Sequence, residues 1–301
     1  MIDIVQIETE LEINKSAAVV EEIKHPLLDE TNFPLYIKRD DLIHPIISGN
    51  KWRKLKYTLL HALKQGQDHL ISMGGAYSNH LHALAYIGYK LNIKTTGLIR
   101  GEQPKEESQT LCDLRQWNMN LEFISRSDFR NLRKHRAFNS PPAKQYNGFW
   151  IPEGGASDHA LKGVAEIIEE IDTEYDILTL ACGTGTTLAG LAKTLSSEKK
   201  IIGFSSLKGG GFLEKEVKKL IKQRSITNWS INFDYHFGGF AKSNNELLSF
   251  IKDFEKETSI PIEPIYNGKM LYGLFDLIKN EKLKKSQKII AIHTGGLQGY
   301  R

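Results

Sequence analysis

The chain has 301 residues, of which 40% are hydrophobic and 25% are charged. That length gives one large domain or two ordinary ones, and the composition is that of a globular protein, which excludes a disordered chain, a collagen-like repeat and a small disulfide-stapled fold. The 40 basic and 36 acidic side chains leave a net charge of +4, an excess too small to indicate a nucleic-acid partner.

Short β-rich apolar runs alternate with longer segments of helical period along the chain. This alternation is typical of βαβ units and predicts an α/β fold with a parallel sheet. Segments 51–64 and 157–171 place apolar residues about one helical turn apart, as in helices that pack on a sheet. The stretch 139–148 is rich in Asn, Pro and Gly and is predicted to be a loop near a domain boundary. Strands are predicted at 35–38, 69–73, 95–99, 120–124, 149–151, 177–182, 201–205 and 289–293.

The two cysteines, Cys112 and Cys182, lie far apart and neither belongs to a CxxC pair. They provide neither a disulfide framework nor a pair of zinc thiolates, which favours a reducing cytosol. The N-terminal residues show no basic region followed by an apolar one, and no segment approaches the ~18 apolar residues of a membrane span. We therefore expect a cytoplasmic protein without a membrane partner.

The first chemical signal lies at the start of the predicted helix 51–64. Ser48, Gly49 and Asn50 form a turn like a helix N-cap, and Lys51 opens the helix. The positive end of a helix dipole favours the neutral amine of a lysine, which is its nucleophilic form toward a carbonyl. Lys51 is therefore a candidate for Schiff-base formation, although the same pattern in isolation also fits a surface lysine.

The second signal follows the predicted strand 69–73. Ser78 and Asn79 begin a helix after a glycine-rich turn. Free backbone N–H groups at a helix start bind anions, so a substrate carboxylate can rest there with side-chain contacts from Ser78 and Asn79. The segment also fits an ordinary strand-to-helix turn. His80 and His82 face different sides of a helix, so no shared metal site is predicted.

The third signal is a loop of Gly and Thr after the predicted strand 177–182. It consists of Gly183, Thr184, Gly185, Thr186 and Thr187. Backbone N–H groups and hydroxyls in such a loop surround a phosphate. The loop lacks the Gly-Lys-Ser/Thr ending of a P-loop, and its third glycine stands at 190 rather than 188, which disfavours a dinucleotide fingerprint. A monophosphate ester fits better.

The last signals lie near the C-terminus. Tyr266 and Asn267 form one pair, and Thr294 follows the predicted strand 289–293 at a Gly-Gly turn, where its hydroxyl can meet a ligand's polar edge. Tyr266 is equally well read as a half-buried core aromatic. Because loops at the carboxyl ends of parallel strands converge in α/β sheets, we expect all four segments to form one site.

Together these segments resemble the pyridoxal-phosphate (PLP) enzymes of fold type II, and within them the family of 1-aminocyclopropane-1-carboxylate (ACC) deaminase and D-cysteine desulfhydrase. The resemblance runs from about Lys38 to the C-terminus. It is carried by five motifs in family order, at 48–57, 74–80, 183–187, 266–269 and 293–296.

The resemblance implies a fold like that of the tryptophan synthase beta chain, with two open, twisted, mostly parallel sheets flanked by helices. A smaller α/β domain at 51–157 is then inserted in a larger PLP-binding domain made of 1–50 and 158–301. A homodimer and a small amino-acid substrate are also implied.

The resemblance further implies a role for each site residue. Lys51 carries the cofactor as a Schiff base, and Asn50 or Asn79 bonds the cofactor's phenolic oxygen. Lys54 and the 183–187 loop hold the phosphate. The other implied contacts are Ser78, Asn79 and His80 with the substrate, Tyr266 beside the cofactor ring as a further catalytic residue, and Asn267 and Thr294 with the cofactor.

Three features depart from the family pattern. Asn267 stands where ACC deaminases have Glu, and a carboxylate there would keep the pyridine nitrogen protonated, so its loss weakens the electron sink. Phe240 occupies the region where relatives often place a second tyrosine. The chain is also shorter than typical members.

These departures favour a reaction that needs only a modest electron sink. Opening the cyclopropane of ACC requires strong electron withdrawal, whereas elimination from D-cysteine starts with loss of an α-proton and expels a good leaving group. We therefore expect α,β-elimination on a small D-amino acid. The alternatives are ACC deaminase, a PLP-binding protein with little or no lyase activity, and a nucleotide-dependent enzyme that uses the 183–187 loop.

Overall fold

The computed structural model describes residues 2–223 and 225–300. The described strands form two separate sheets, one of six strands and one of four. In chain order the strands are β1 Val20–Glu22, β2 Leu35–Lys38, β3 His69–Gly74, β4 Lys94–Arg100, β5 Asn120–Ile124, β6 Phe149–Trp150, β7 Ile177–Cys182, β8 Lys200–Ser205, β9 Trp229–Asn232 and β10 Ile289–Ile292.

Helices flank both sheets. They are α1 Ile4–Glu10, α2 Pro26–Thr31, α3 Asn50–Lys64, α4 Asn79–Lys90, α5 Gln109–Gln116, α6 Arg126–Leu132, α7 Pro141–Gln145, α8 Asp158–Glu169, α9 Thr186–Thr194, α10 Phe212–Ile221, α11 Asn245–Thr258 and α12 Asn267–Lys279. None of the helices in the described ranges combines the length and the apolarity of a membrane span.

Both sheets are almost entirely parallel. The larger has the strand order β1-β2-β10-β7-β8-β9, in which only β1 is antiparallel to its neighbour, and the smaller has the order β5-β4-β3-β6. All residues of the central strands β7 and β10 are buried, as expected of parallel strands covered on both faces. The prediction of two mostly parallel sheets flanked by helices is therefore confirmed.

The predicted strands are all present, with ends that differ by no more than one residue. Two strands were not predicted, β1 and β9. Both are short edge strands, and their residues are half-buried or exposed, so they lack the continuous apolar run that marked the others.

The prediction of a loop over 139–148 is partly wrong. Residues Pro141–Gln145 form a short helix with proline at its first position, where the missing N–H group costs no hydrogen bond. The segment connects α6 to β6 of the four-stranded sheet.

Helix α3 packs closely on α8. A Cβ added at Gly163 of α8 would lie 2.0 Å from the carbonyl oxygen of Arg53 in α3, so the two helices touch through backbone at this point. The Arg53 guanidinium is fully buried and pairs with Asp40 at 3.1 Å and with Glu170, the C-cap of α8. These contacts fix the direction in which the first turn of α3 points.

Candidate active site

The predicted segments meet at one cavity of about 750 Å³, at the carboxyl ends of strands from both sheets. A larger cavity of about 920 Å³ near His61 and His159 contains none of the catalytic candidates. The predicted site residues that line the 750 Å³ cavity are Asn50, Lys51, Lys54, Ser78, Asn79, His80, Gly183, Thr184, Gly185, Thr187, Tyr266 and Thr294.

The turn before α3 is pressed against the end of β10. Gly49 has φ +57°, and a Cβ there would lie 2.2 Å from the Thr294 carbonyl oxygen, so only glycine fits. The backbone N–H of Asn50 donates to that same carbonyl at 3.2 Å. The first residues of α3 are thus positioned by the last strand of the sheet.

The Lys51 amine donates to Asn50 Oδ1 at 2.6 Å. Burial lowers the pKa of Lys51 to about 8, and the opposing attraction of Glu263 is the smaller effect. The sequence argument attributed the neutral form of Lys51 to the helix dipole, but desolvation is the main physical cause of its lowered pKa. About a tenth of the amine is then neutral at pH 7, and this form is both a nucleophile and a base.

Lys54 lies one helical turn beyond Lys51 and is almost fully buried. Burial, and then repulsion by Lys51, lowers the pKa of Lys54 well below its usual value. Among the residues described by the structure, no hydrogen-bond acceptor or carboxylate pairs with its amine. An unpaired buried amine is costly, so this position suits an anion.

The 183–187 loop faces the same space. Gly185 has φ +75° and is the N-cap of α9, which has no side-chain cap, so its first N–H groups remain available to an anion. The Thr187 hydroxyl accepts from Asn50 Nδ2 at 3.4 Å, and the Thr184 and Thr186 hydroxyls are 3.1 Å apart. With the unpaired amine nearby, these donors fit a phosphate ester. Thr186 itself is fully buried behind the cavity wall.

Ser78 is the N-cap of α4, and its hydroxyl oxygen accepts from the Leu81 N–H at 3.2 Å. Because that contact uses only a lone pair, the hydroxyl hydrogen remains available to a ligand. Asn79 Nδ2 lies beside the C-terminal turn, 2.6 Å from where a Cβ at Gly296 would stand. Both side chains therefore border the cavity between the two sheets.

His80 is buried with a defined tautomer. The Ser72 hydroxyl donates to the Ile151 carbonyl at 2.8 Å, so it must accept from His80 Nε2, which lies 2.8 Å away. The other nitrogen, Nδ1, has no hydrogen-bond partner. Burial and the nearby Lys51 and Lys54 lower the pKa of His80 to about 3, so the ring is neutral.

His82 faces away from the cavity and pairs with Asp113 at 3.0 Å, as its spacing from His80 predicts. Across residues 2–223 and 225–300, no three His, Cys, Asp or Glu side chains form a group able to hold a metal ion.

Tyr266 lines the cavity, whereas its neighbour Asn267 does not. Asn267 Oδ1 accepts from the Thr294 N–H at 3.1 Å and from the Thr294 hydroxyl at 3.2 Å. Its Nδ2 donates to the Gly295 carbonyl at 2.8 Å and to Glu263 at 3.2 Å. Asn267 thus ties the start of α12 to the end of β10, and its amide group is fully occupied by protein partners.

Sequence reasoning missed Glu263. This fully buried carboxylate accepts from the backbone N–H groups of Ile265, Tyr266 and Asn267 at 2.6 to 3.0 Å, so it caps the start of α12. Burial raises the pKa of Glu263 to about 7, against the lowering effect of these hydrogen bonds. An acidic residue three positions before the Tyr266 motif was the available signal.

Sequence reasoning also gave no role to Lys269. Its buried amine donates to the carbonyls of His236 at 2.9 Å and Gly239 at 2.7 Å. These bonds hold the loop that brings Phe240 to the cavity, where the Phe240 and Tyr266 ring centroids are 6.0 Å apart. A phenyl ring without a hydroxyl therefore borders the cavity beside Tyr266.

Comparison with known proteins identifies the class. The family model described as pyridoxal-phosphate dependent enzyme matches residues 22–295. The fold is that of a solved threonine deaminase from Solanum lycopersicum, with a TM-score of 0.66 over 97% of this chain and 84% of that one, at 17% identity. The protein is a PLP-dependent enzyme of fold type II.

Closer relatives define the family. A protein of Pyrococcus horikoshii with the provisional name 1-aminocyclopropane-1-carboxylate deaminase is 30% identical over 90% of this chain and 86% of its own. The bifunctional D-cysteine desulfhydrase/1-aminocyclopropane-1-carboxylate deaminase of Arabidopsis thaliana is 31% identical, over 88% and 73%. A solved ACC deaminase homologue has a TM-score of 0.79 at 28% identity, over 98% and 95%. The chain belongs to the ACC deaminase and D-cysteine desulfhydrase family.

Proposed function

We propose that the protein catalyses α,β-elimination on a small D-amino acid, with D-cysteine giving pyruvate, ammonia and sulfide. The observation that carries this proposal is the Lys51 amine, which is buried in the cavity with a pKa lowered to about 8. The described cavity lining holds a single carboxylate, Glu153, and both its oxygens accept from Arg133. Lys51 is therefore the best available base for an α-proton, which D-cysteine has and ACC lacks.

The residues of this cavity would hold PLP as follows. Lys51 would bind it covalently, Lys54 and the 183–187 loop would hold its phosphate ester, and Asn50 or Asn79 would bond its phenolic oxygen. Tyr266 would lie beside its ring. When bound, the cofactor withdraws electrons from the α-carbon of the amino acid.

Asn267, Thr186 and Thr294 have indirect roles in this proposal. The Asn267 amide is used by Thr294, Gly295 and Glu263, so Asn267 would position the end of β10 rather than contact the cofactor. Thr186 would orient Thr184, whose hydroxyl lies 3.1 Å from its own. Thr294 would form the wall next to Asn50.

The substrate carboxylate would bind at the start of α4. Ser78 keeps its hydroxyl hydrogen for that carboxylate, the Asn79 amide offers a second donor, and backbone N–H groups complete the site. His80 supplies a neutral acceptor at Nδ1. Lys51 would remove the α-proton directly, or through a proton relay that includes Ser78. Loss of thiolate then releases aminoacrylate, which hydrolyses to pyruvate and ammonia.

The carboxylates near the cavity also support the choice of substrate. Glu153 of the described lining is bound by Arg133, and Glu263 is used by backbone N–H groups of α12, so neither is free to keep the pyridine nitrogen protonated. A site with less electron withdrawal suits a good leaving group such as thiolate better than a cyclopropane bond.

The test is an assay of keto acid and ammonia from D-cysteine, L-cysteine, D-serine and ACC with the PLP-loaded protein. We expect pyruvate from D-cysteine at the highest kcat/KM. Turnover of ACC alone would overturn the proposal and establish the second candidate, ACC deaminase, which the names of the relatives favour. Cofactor absorbance without turnover of any of the four would favour a PLP-binding protein without lyase activity.

Three further expectations remain proposals. We propose that residues 51–157 form the smaller domain and that 1–50 and 158–301 form the larger one, with α3 as the element that packs on both. We also propose a homodimer, which light scattering of the purified protein tests. A cytoplasmic location is proposed because Cys112 and Cys182 are both free thiols.

A further inference from the structure

We propose that, besides the small D-amino acid of the proposed reaction, the cavity binds amino acids with a second negative charge at the end of the side chain more tightly than their neutral isosteres, and that Arg100 recognises this charge. The inference rests on the proposed function to the extent that the 750 Å³ cavity is taken as the amino-acid site. It concerns a wall of that cavity formed by the four-stranded sheet.

The Arg100 guanidinium lies over a buried aromatic ring at the cavity. Its central carbon is 5.9 Å from the centroid of the Phe129 ring, and that of Arg133 is 5.8 Å from the same centroid. Phe129 is only 3% exposed. The ring therefore holds two guanidinium groups in fixed places beside the cavity.

The two arginines differ in what they bind. Arg133 donates to both carboxylate oxygens of Glu153, so its charge is already compensated. Arg100 is exposed, and among the described residues it has no carboxylate within 4.0 Å. The planar group of Arg100 is free to form two parallel hydrogen bonds with a ligand carboxylate or a similar anion.

The charged residues along the cavity wall show which cations have a partner assigned to them. The cationic residues of the lining are Lys51, Lys54, Arg100, Arg133 and Lys208, against the single carboxylate of Glu153. A phosphate ester compensates Lys54, covalent attachment consumes the Lys51 amine, and Glu153 compensates Arg133. Arg100 and Lys208 remain without an assigned partner. The second charge of a phosphate ester and the α-carboxylate can balance the total, so the inference rests on the position of the unpaired Arg100 and not on net charge.

Arg100 is also placed next to the expected binding site of the α-carboxylate. Strands β3 and β4 pair in parallel with Gly74 opposite Ile99, so Arg100 stands just beyond the end of β3, beside the turn that leads to Ser78. Because Ser78, Asn79 and free backbone N–H groups serve the α-carboxylate, the exposed guanidinium is left for the outer end of the substrate.

The test compares two isosteric ligands, aspartate and asparagine, which differ in charge at the end of the side chain. Dissociation constants of both enantiomers are measured with the PLP-loaded protein by equilibrium dialysis of radiolabelled ligand. For the better-bound enantiomer we expect aspartate to bind at least about tenfold more tightly than asparagine, as one charge-assisted bidentate contact provides. Added salt should reduce this ratio.

Arg100→Gln should bring the ratio of the two dissociation constants close to one, and Arg100→Lys should retain part of the preference. Arg126→Gln is the matched control, because Arg126 is exposed on α6 and does not line the cavity. It should leave the ratio unchanged. If Arg100→Gln does not fold, the binding ratio of Arg100→Lys and its dependence on salt still test the proposal.

Equal binding of the two ligands, or no binding of either, would overturn the proposal. So would a loss in Arg100→Gln that is equal for aspartate and asparagine, because that result would assign Arg100 to the α-carboxylate. The outcome is separable from the proposed function: a preference for aspartate without pyruvate from D-cysteine refutes the elimination and leaves the charge selection intact.

Discussion

The Lys51 amine combines three properties that a reactive lysine needs. It begins a helix, it is buried in the cavity beside a second lysine, and it donates to the neighbouring Asn50 at 2.6 Å. Burial lowers its pKa to about 8, so a neutral form exists near neutral pH without any contribution from a metal or a special base. The same burial makes the unpaired Lys54 amine depend on an anionic ligand.

Lys51→Ala should remove the visible absorbance of the covalently bound cofactor and lower kcat/KM for D-cysteine by about 10³-fold, within the range for a proton-transfer group. The matched control is Lys64→Ala, at the exposed end of the same helix. Spectra and kinetics of both purified variants check this. Retention of the absorbance band in Lys51→Ala would exclude Lys51 as the attachment point.

His80 makes the protein sensitive to acid. Its pKa falls from 6.5 to about 3 in the folded state, so below pH 6.5 the unfolded chain binds a proton that the folded protein does not. This contribution to stability is present above pH 6.5 and is lost as the pH falls. When the pH is lowered from about 7.5 to about 5.5, the unfolding free energy of the wild type should fall by about 1.4 kcal/mol more than that of His80→Gln.

Urea unfolding at the two pH values measures this difference. His135→Gln, at a half-buried histidine outside the cavity, is the control and should follow the wild type. An equal loss in His80→Gln and the wild type would mean that His80 titrates normally.

At the scale of elements, buried charge fixes helix α3. Arg53 and Asp40 are both fully buried and 3.1 Å apart, and Glu170, the C-cap of α8, is the second partner of Arg53. Removal of one member of a buried pair leaves an uncompensated charge, which costs far more than loss of a surface pair. The ion pairs therefore set the orientation of the helix that carries Lys51.

Arg53→Ala should lower the unfolding free energy by about 3 to 5 kcal/mol, because among the described residues it leaves the buried Lys38 amine as the single cation for both Asp40 and Glu170. Adding Asp40→Asn to this variant should recover part of the loss, so the double-mutant cycle should show strong coupling. The exposed pair of Arg115 and Glu107 is the control, and Arg115→Ala should cost less than about 1 kcal/mol. Additive effects of the Arg53 and Asp40 variants would argue against the pairing.

The sequence predicted the elements and segments with strong local patterns. The central strands were predicted to within one residue, and Lys51, Ser78 and the 183–187 loop were found because each lies in a strand-to-helix turn of distinctive composition. Lys269 and Arg100 have no such local pattern, because their roles depend on distant partners, the loop at 236–239 and a ring on α6. Glu263 did have a local signal, an acidic residue just before the start of α12, but sequence reasoning did not use it. Asn267 was expected to contact the cofactor, but it does not line the cavity, and its amide partners Thr294 and Gly295 could not be read from one chain segment.

At the scale of the whole molecule, the cavity joins two sheets that share no hydrogen bonds between strands. Residues from the ends of β3 and β4 face residues from the ends of β7 and β10 across it. A cofactor in this space would be held by both parts of the structure and would neutralise the buried Lys54 amine. Its binding should therefore stabilise the protein as a unit.

Removal of PLP should lower the unfolding free energy by about 4 kcal/mol relative to protein with free PLP at 1,000 times its dissociation constant. Addition of PLP should restore it. Lys54→Met, which removes the buried amine, should show a smaller difference between the two states. Thermal unfolding with and without PLP checks this. An unchanged midpoint would contradict the stabilisation by PLP, and an equal shift in Lys54→Met and the wild type would argue against a role of Lys54 in holding the cofactor.

The contact between Gly49 and the Thr294 carbonyl has a consequence for how the enzyme folds during its synthesis. Lys51 in the first turn of α3 is synthesised early, but the backbone that positions this turn belongs to Thr294, just after β10. At about 5 to 20 residues per second, the ribosome needs on the order of ten seconds or more to reach that strand. During that interval the turn before Lys51 lacks its contact with the Thr294 carbonyl. The enzyme can therefore bind its cofactor only after β10 has emerged and docked.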